Sequence, residues 1–186
     1  TGYKGFGGEI TLPTTYTADG TDYEVVGVAE GAFCGHGEYY DKTDAEALSQ
    51  ITKIVVPASI RTVEAKAFYY VGRYMTRLWS LKEIVFEAEN VTFGANALGG
   101  NPNLTSVTLP TKLETISNSM FADDTSLTAL VIPATVDTVE GVAFANCTAL
   151  TSVTFQGESA PGMAAYTAYN NTRYPFYGCK ELTLYV

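Results

Sequence analysis

Cys34 and His36 stand in a Cys-Gly-His triplet, and His36 is the lone histidine of this 186-residue chain. A thiol beside an imidazole is the pairing that nucleophilic catalysis uses, provided the two meet at hydrogen-bond distance and a third group orients the base. Their spacing does not supply that geometry. A core cysteine followed by a loop histidine accounts for the triplet more simply. One histidine and no Cys-x-x-Cys pair give no zinc ligand set. Asp123, Asp124 and Asp137 come nearest to calcium ligands, yet no Asp-x-Asp-x-Asp spacing occurs, so a solvated acidic edge is expected there. Glutamates scattered over a surface are likewise expected to be solvated rather than to form a glycosidase pair. The chain is therefore read as no enzyme, with no catalytic residue, no metal and no cofactor.

Charge and hydropathy narrow the partners. Twenty Asp and Glu against eleven Lys and Arg leave a net charge of -9. That field opposes a nucleic acid backbone or an anionic lipid surface and suits a neutral or locally basic partner. No run of 18 apolar residues is present, so no membrane insertion is expected. The chain begins at Thr1 and shows no basic-then-apolar leader, so a signal sequence is presumed removed. Three cysteines cannot make a complete disulfide framework. Cys147 and Cys179 each follow a phenylalanine by three residues, which suits two buried thiols in a stacked column. A disulfide between them is also open, since stacked strands lie roughly 4.8 Å apart.

The elements that must position all this repeat at a fixed interval. Residues 104–126 read LTSVTLPTKLETISNSMFADDTS and residues 127–149 read LTALVIPATVDTVEGVAFANCTA. Leu104 falls over Leu127, Leu109 over Ile132, Pro110 over Pro133, Ile116 over Val139 and Phe121 over Phe144, always 23 residues apart. A period in this range signals a solenoid. Each repeat opens with alternation, as in Val107 and Leu109 against Ser106 and Thr108, which predicts a half-buried strand. The proline ends it, because it cannot donate to a ladder. Leu113, Ile116 and Phe121 then point inward from the return. One such coil cannot bury its apolar face alone, so about six must stack. The expected fold is mainly β, with one parallel sheet face and short irregular or strand returns, forming one solenoid domain over residues 1–186. The coil from Leu81 is the most degenerate, with Glu87 in the proline place, Phe93 for isoleucine and Leu98 for phenylalanine.

The pattern L-x-x-V-x-[LI]-P-x-x-[LV]-x-x-[IV]-x-x-x-[AM]-F-x-x-C resembles the BspA-like leucine-rich repeats, from about Ile10 to Val186. The opening stretch YTADGTDYEVVGVAEGAF is similar to that family's first repeat. The resemblance implies a secreted or cell-surface bacterial protein and, in the best-known members, adhesion to host or bacterial proteins. It implies no catalytic residue.

Individual function is expected where the chain leaves the repeat. Residues 1–9 read as an N-terminal cover, and excursions fall near 14–23, 36–47, 69–80 and 161–175. The second carries Tyr39 and Tyr40; the third carries Arg73, Tyr74, Arg77 and Trp79. Leaving the same corner of adjacent coils, these two are expected to be neighbours, either packed together or forming a binding patch of the residue types that dominate interface hot spots. The fourth carries Tyr166, Tyr169, Asn170, Asn171, Arg173 and Tyr174. On the sheet face the outward row is expected to be Val55, Val85, Thr108, Val131 and Thr154, beside a row of Lys53, Glu83, Ser106, Ala129 and Ser152. A protein ligand is the expected partner. Tyr and Trp faces flanked by Asn and Arg also suit a glycan, and a spacer role in a longer surface protein is the third expectation. The last residues have strand character and no closing turn, so either this edge is open to pairing or the natural chain continues past Val186.

Overall fold

The computed structural model describes residues 8–33, 42–69, 78–168 and 170–186. The chain winds as a coil repeated along one axis, with a long strand on one side and a short strand on the next. The first coil has β1 (Gly8–Thr11), the hairpin β2 (Thr15–Ala18) and β3 (Thr21–Glu24), and β4 (Gly27–Val28). A helix, α1 (Lys42–Ser49), leads into β5 (Ile51–Val56) and β6 (Thr62–Val63). Then come β7 (Glu83–Phe86) with β8 (Thr92–Phe93), β9 (Ser106–Thr108) with β10 (Thr115–Ile116), and β11 (Ala129–Ile132) with β12 (Thr138–Val139). The last coil has β13 (Ser152–Phe155), β14 (Gly162–Met163), the hairpin β15 (Tyr166–Ala168) and β16 (Asn171–Arg173), and then β17 (Thr183–Tyr185). The repeat predicted this order of strands, and the prolines at 57, 110 and 133 stand at or just past the strand ends.

All pairing between coils is parallel. The long strands form two ladders, β1-β5-β7-β9 and β11-β13-β17. The short strands form β4-β6-β8 and β10-β12-β14. The first excursion is the hairpin β2–β3, turning on Asp19 and Gly20, both with positive φ. That is the two-residue turn whose twist matches paired strands. The second holds α1, which periodicity did not announce, and whose Leu48 is buried in the core. The strand of the first coil starts at Gly8, inside the stretch expected to be a cover.

Inside, the core columns follow the repeat. Ile54, Ile84, Ile132 and Val153 are fully enclosed, as are Ile116 and Val139 on the return side. Phe33 stacks on Phe68 with ring centroids 4.8 Å apart; Phe121, Phe144 and Phe176 stack at 5.1 and 4.9 Å. Leu98, taking the phenylalanine place in the degenerate coil, is also fully buried.

On either side of this column the backbone turns left-handed. Gly31, Lys66, Asn96, Ser119 and Val142 have positive φ two residues before the column, and Gly100, Asp123, Asn146 and Gly178 two residues after it. Glycine, asparagine and aspartate tolerate that region; a β-branched residue such as Val142 does so at a cost. Gly178 has no alternative, since a Cβ there would come within 2.6 Å of Asn146 Oδ1.

Three residues after the column runs a polar file: Asn101, Asp124 and Cys147, all buried, and then the half-buried Cys179. Asn101 Nδ2 donates to Phe68 O at 3.2 Å, Cys147 Sγ to Phe121 O at 3.0 Å and Cys179 Sγ to Phe144 O at 3.3 Å. Each thus satisfies the corner carbonyl of an earlier coil. Cys147 and Cys179 are free thiols, not a disulfide. Burial pushes both thiols up, and for Cys147 the neighbouring Asp124 adds to it. A protonated thiol can donate, and both do. Asp124 corrects the sequence reading: Asp123 and Asp137 are exposed, but Asp124 is fully enclosed rather than part of a solvated edge. Its Oδ1 accepts the Asn101 N–H at 2.8 Å, and its Oδ2 has no hydrogen-bond partner.

Candidate interaction surfaces

Alternation along each long strand decides what the sheet face presents. Parallel register sets Val55 beside Val85 and Val85 beside Thr108, and in the second ladder Val131 beside Thr154. The predicted outward row therefore exists, in two pieces. It also runs further than the sequence suggested, since Thr11 pairs with Val55 at one end and Tyr185 with Thr154 at the other. Neither belonged to a clean repeat, which is why the pattern did not include them. Val131 is 53% exposed, Thr108 is exposed, and Val55, Val85 and Thr154 are half-buried by their neighbours. The adjacent row holds the one ion pair of the described face, Lys53 to Glu83 at 3.1 Å. Threonines at the strand starts tie coil to coil: Thr105 Oγ1 donates to Lys82 O at 3.1 Å and Thr151 Oγ1 to Thr128 O at 3.2 Å.

Between β9 and β11 the ladder stops. No ladder bond joins these two strands, although they belong to the two most regular repeats. At two junctions the ladder is extended just past the strand, by Glu87 N to Val56 O at 2.9 Å and by Gln156 N to Ile132 O at 3.0 Å. At the seam that place is Pro133, which has no N–H, but Pro57 and Pro110 hold the same place where β1–β5 and β7–β9 stay paired, so proline alone does not account for the break. A groove of about 540 Å³ lies over the seam. It is lined by Thr105, Ser106, Thr108, Val131, Ser152 and Thr154 among others, and no described lining residue is charged or aromatic.

The remaining predicted residues separate. Trp79 is 48% exposed in the turn before β7, outside the strand rows, and its carbonyl accepts Asn103 Nδ2 at 2.7 Å. Tyr39, Tyr40, Arg73, Tyr74 and Arg77 lie outside the described residues, as do Cys34 and His36. The fourth excursion does form an exposed aromatic group. Tyr166 pairs across the hairpin with Arg173, and the Arg173 guanidinium sits 4.5 Å from the centre of the Tyr177 ring. Tyr166, Tyr174 and Tyr177 are 46%, 64% and 45% exposed. The hairpin rests on Gly141, where a Cβ would meet Tyr166 backbone N at 2.5 Å. Tyr177 was not singled out in the sequence; it is reached only because β16 turns Arg173 back over it.

Among the described residues no group of three or more His, Cys, Asp or Glu could hold a metal ion, and no helix is long and apolar enough to cross a membrane.

The BspA type leucine rich repeat region model matches residues 45–183, in six copies. The chain belongs to that family. Its repeat region is accordingly a protein-interaction scaffold, not a catalytic fold. A comparison with curated proteins gives no match. Among solved structures, the BspA-type chain is similar to the T. pallidum leucine rich repeat protein TpLRR, with 24% identity and a TM-score of 0.54 over 82% of this chain and 61% of that one. It is also similar to the pneumococcal vaccine antigen PcpA, with 22% identity and a TM-score of 0.50 over 89% of this chain and 44% of that one. A leucine rich cell surface protein from Faecalibacterium prausnitzii A2-165 matches at 21% identity and a TM-score of 0.47, over 91% and 54%. The chain thus spans between 44% and 61% of the length of these structures, and at such identities the likeness is one of fold.

Proposed function

We propose that residues 1–186 form one extracellular or cell-surface solenoid domain that binds a host or bacterial surface protein in adhesion. The observation that carries this is the sheet face: an outward row from Thr11 through Val55, Val85, Thr108, Val131 and Thr154 to Tyr185, with its charge confined to the Lys53–Glu83 pair and the strand edges. An extended, nearly neutral surface on an acidic molecule favours contact through shape, with affinity set by a few anchors rather than by area. Tyr39, Tyr40, Arg73, Tyr74, Arg77 and Trp79 are the anchors proposed beside it, being of the types that dominate hot spots. Loops held by a rigid scaffold commonly carry recognition.

The test is capture from extracellular matrix and mucus extracts by the immobilised chain, beside two folded variants. One is Val55→Arg with Thr154→Arg on the face; the other is Tyr74→Ala with Trp79→Ala. A captured protein lost from the first variant supports the face, and one lost from the second supports the loop anchors. Capture that neither variant changes rules out both surfaces.

A second reading rests on Tyr166, Arg173, Tyr174 and Tyr177. Half-exposed rings beside a guanidinium can stack on sugar faces, so a carbohydrate-binding role belongs to this hairpin rather than to the sheet. A glycan array with the Tyr166→Ala/Tyr174→Ala variant separates the two readings. Selective binding lost in that variant supports the glycan, and silence across mucin and plant glycans removes it. An empty capture together with a silent array would favour a spacer.

A further inference from the structure

We propose that the hairpin β15–β16 binds a glycan bearing one ring carboxylate, the group that sialic and uronic acids share, and that Arg173 pairs with it. The inference rests on the carbohydrate-binding reading of this hairpin. It goes further by naming the class of sugar and the residue that selects it.

The charge pattern singles the place out. Between Glu158 and Lys180 the sequence carries one charged residue, Arg173, in a chain whose net charge is -9. Lys53 and Lys112 are matched by Glu83 and Glu89. Arg173 is not: among the described residues no carboxylate lies within ion-pair distance of it, and none accepts from its guanidinium. Glu140, beside the glycine on which the hairpin rests, instead accepts the Asn118 N–H at 2.7 Å.

The hairpin and the turn after it hold that guanidinium in place. Tyr166 pairs with Arg173 and Ala168 with Asn171, and alternation puts all four on one face. Thr167 and Thr172 meet on the other, their hydroxyls 3.0 Å apart. The Arg173 guanidinium sits over the Tyr177 ring, 4.5 Å from its centre. A ring positions an arginine in this way while the planar fork of N–H groups stays available, and that fork meets a carboxylate with two bonds at once. On the same face Tyr166 is half-exposed and Asn171 is exposed. A ring, a held cation and an amide match what a carboxylated sugar offers: an apolar face, an acid and hydroxyls.

The field of the whole chain limits how much charge the ligand carries. A densely sulfated polysaccharide would meet one hairpin cation on a molecule of net charge -9, so repulsion opposes it. A neutral sugar would leave the guanidinium unused. One carboxylate on an otherwise neutral glycan satisfies both conditions.

Sialyllactose and a glucuronic acid disaccharide are the probes, titrated against the intact chain. Beside them stand lactose, heparin fragments and the methyl esters of both acids, which keep the shape and lose the charge. At least one acid should bind tenfold or more tightly than lactose and than its own ester, and which acid does so identifies the source. Arg173→Gln should remove that preference, and Arg173→Lys, charged but without the fork, should restore only part of it. Tyr166→Ala should weaken acidic and neutral sugars alike. Both side chains are exposed, and an unchanged thermal transition checks that the variants fold. Equal binding of acid and ester, tighter binding of heparin fragments, or a preference that survives Arg173→Gln would overturn the inference. Neutral sugars bound by the wild type, lost on Tyr166→Ala and indifferent to Arg173→Gln, would leave the carbohydrate reading standing without it. Silence towards every sugar would sink both.

Discussion

Asp124 is the residue whose environment departs furthest from its chemistry. It stands in a file whose other members, Asn101, Cys147 and Cys179, each donate to a corner carbonyl, and an ionised carboxylate has nothing to donate. Burial raises its pKa well above the usual carboxylate range, opposed by the Asn101 N–H and reinforced by neighbouring Asp123. The groups facing it are Asp123, Asn101 and the Cys147 thiol, none of them a cation. Because the folded pKa lies above the unfolded value of about 3.9, the native state holds the proton more tightly. Asp124's contribution is complete below about pH 4 and is lost as pH rises towards the raised folded value. Asp124→Asn supplies a permanent donor in the same shape. It should therefore be more stable than wild type at neutral pH, by about 1–3 kcal/mol, the ordinary cost of an unmade buried hydrogen bond. The gap should close as pH falls to 4, and denaturant melts across that range would show it; a gap independent of pH would refute the assignment. Phe121 makes the complementary test of the apolar file. Fully buried and stacked at 5.1 Å on Phe144, its replacement by alanine should cost about 3–5 kcal/mol in the same melts. A loss under about half a unit would mean the ring is not in the core.

The hairpin β15–β16 depends on one close approach. A methyl group at residue 141 would collide with the backbone nitrogen of Tyr166, so Gly141→Ala should lift the hairpin off β12's corner. Hydrogen exchange at the Thr167–Thr172 pairing should quicken by about tenfold or more in that variant while the core strands stay protected. Unchanged protection there would show that the contact does not hold the hairpin. Elements of this kind were legible in unequal measure. Strand order, the outward row and the buried place of Leu98 followed from period and alternation, because each is fixed by which side of the coil a residue faces. The helix α1 was not, since eight residues inside a loop carry too few apolar positions to show a period; among its described side chains Leu48 is the one that reaches the core. Asp124 was misread because neighbouring acids look solvated in one dimension, and only the file it shares with Asn101 and Cys147 shows that its position is internal. The seam was invisible for a different reason. A repeat specifies what each coil contains and is silent on how far apart two coils sit; Pro133 is no signal, since Pro57 and Pro110 stand in the same place where the ladder is intact.

At the scale of the whole chain, stability in a stacked array is a sum of coil terms and nearest-neighbour interfaces. Three junctions, those of β1 with β5, β5 with β7 and β11 with β13, are laddered on both the sheet face and the return side. The junction between the coils of β9 and β11 is bonded along the corner and the return side and slack along the sheet face. A joint fastened on one side and loose on the other has a defined axis of bending, running beside the Phe121–Phe144 stack. The neighbouring junction is the converse, laddered between β7 and β9 on the sheet face and unladdered between β8 and β10 on the return side. A rigid surface has to find a partner that already matches it, whereas a rod with two neighbouring joints, slack on opposite sides, can conform to a partner flatter or more convex than itself.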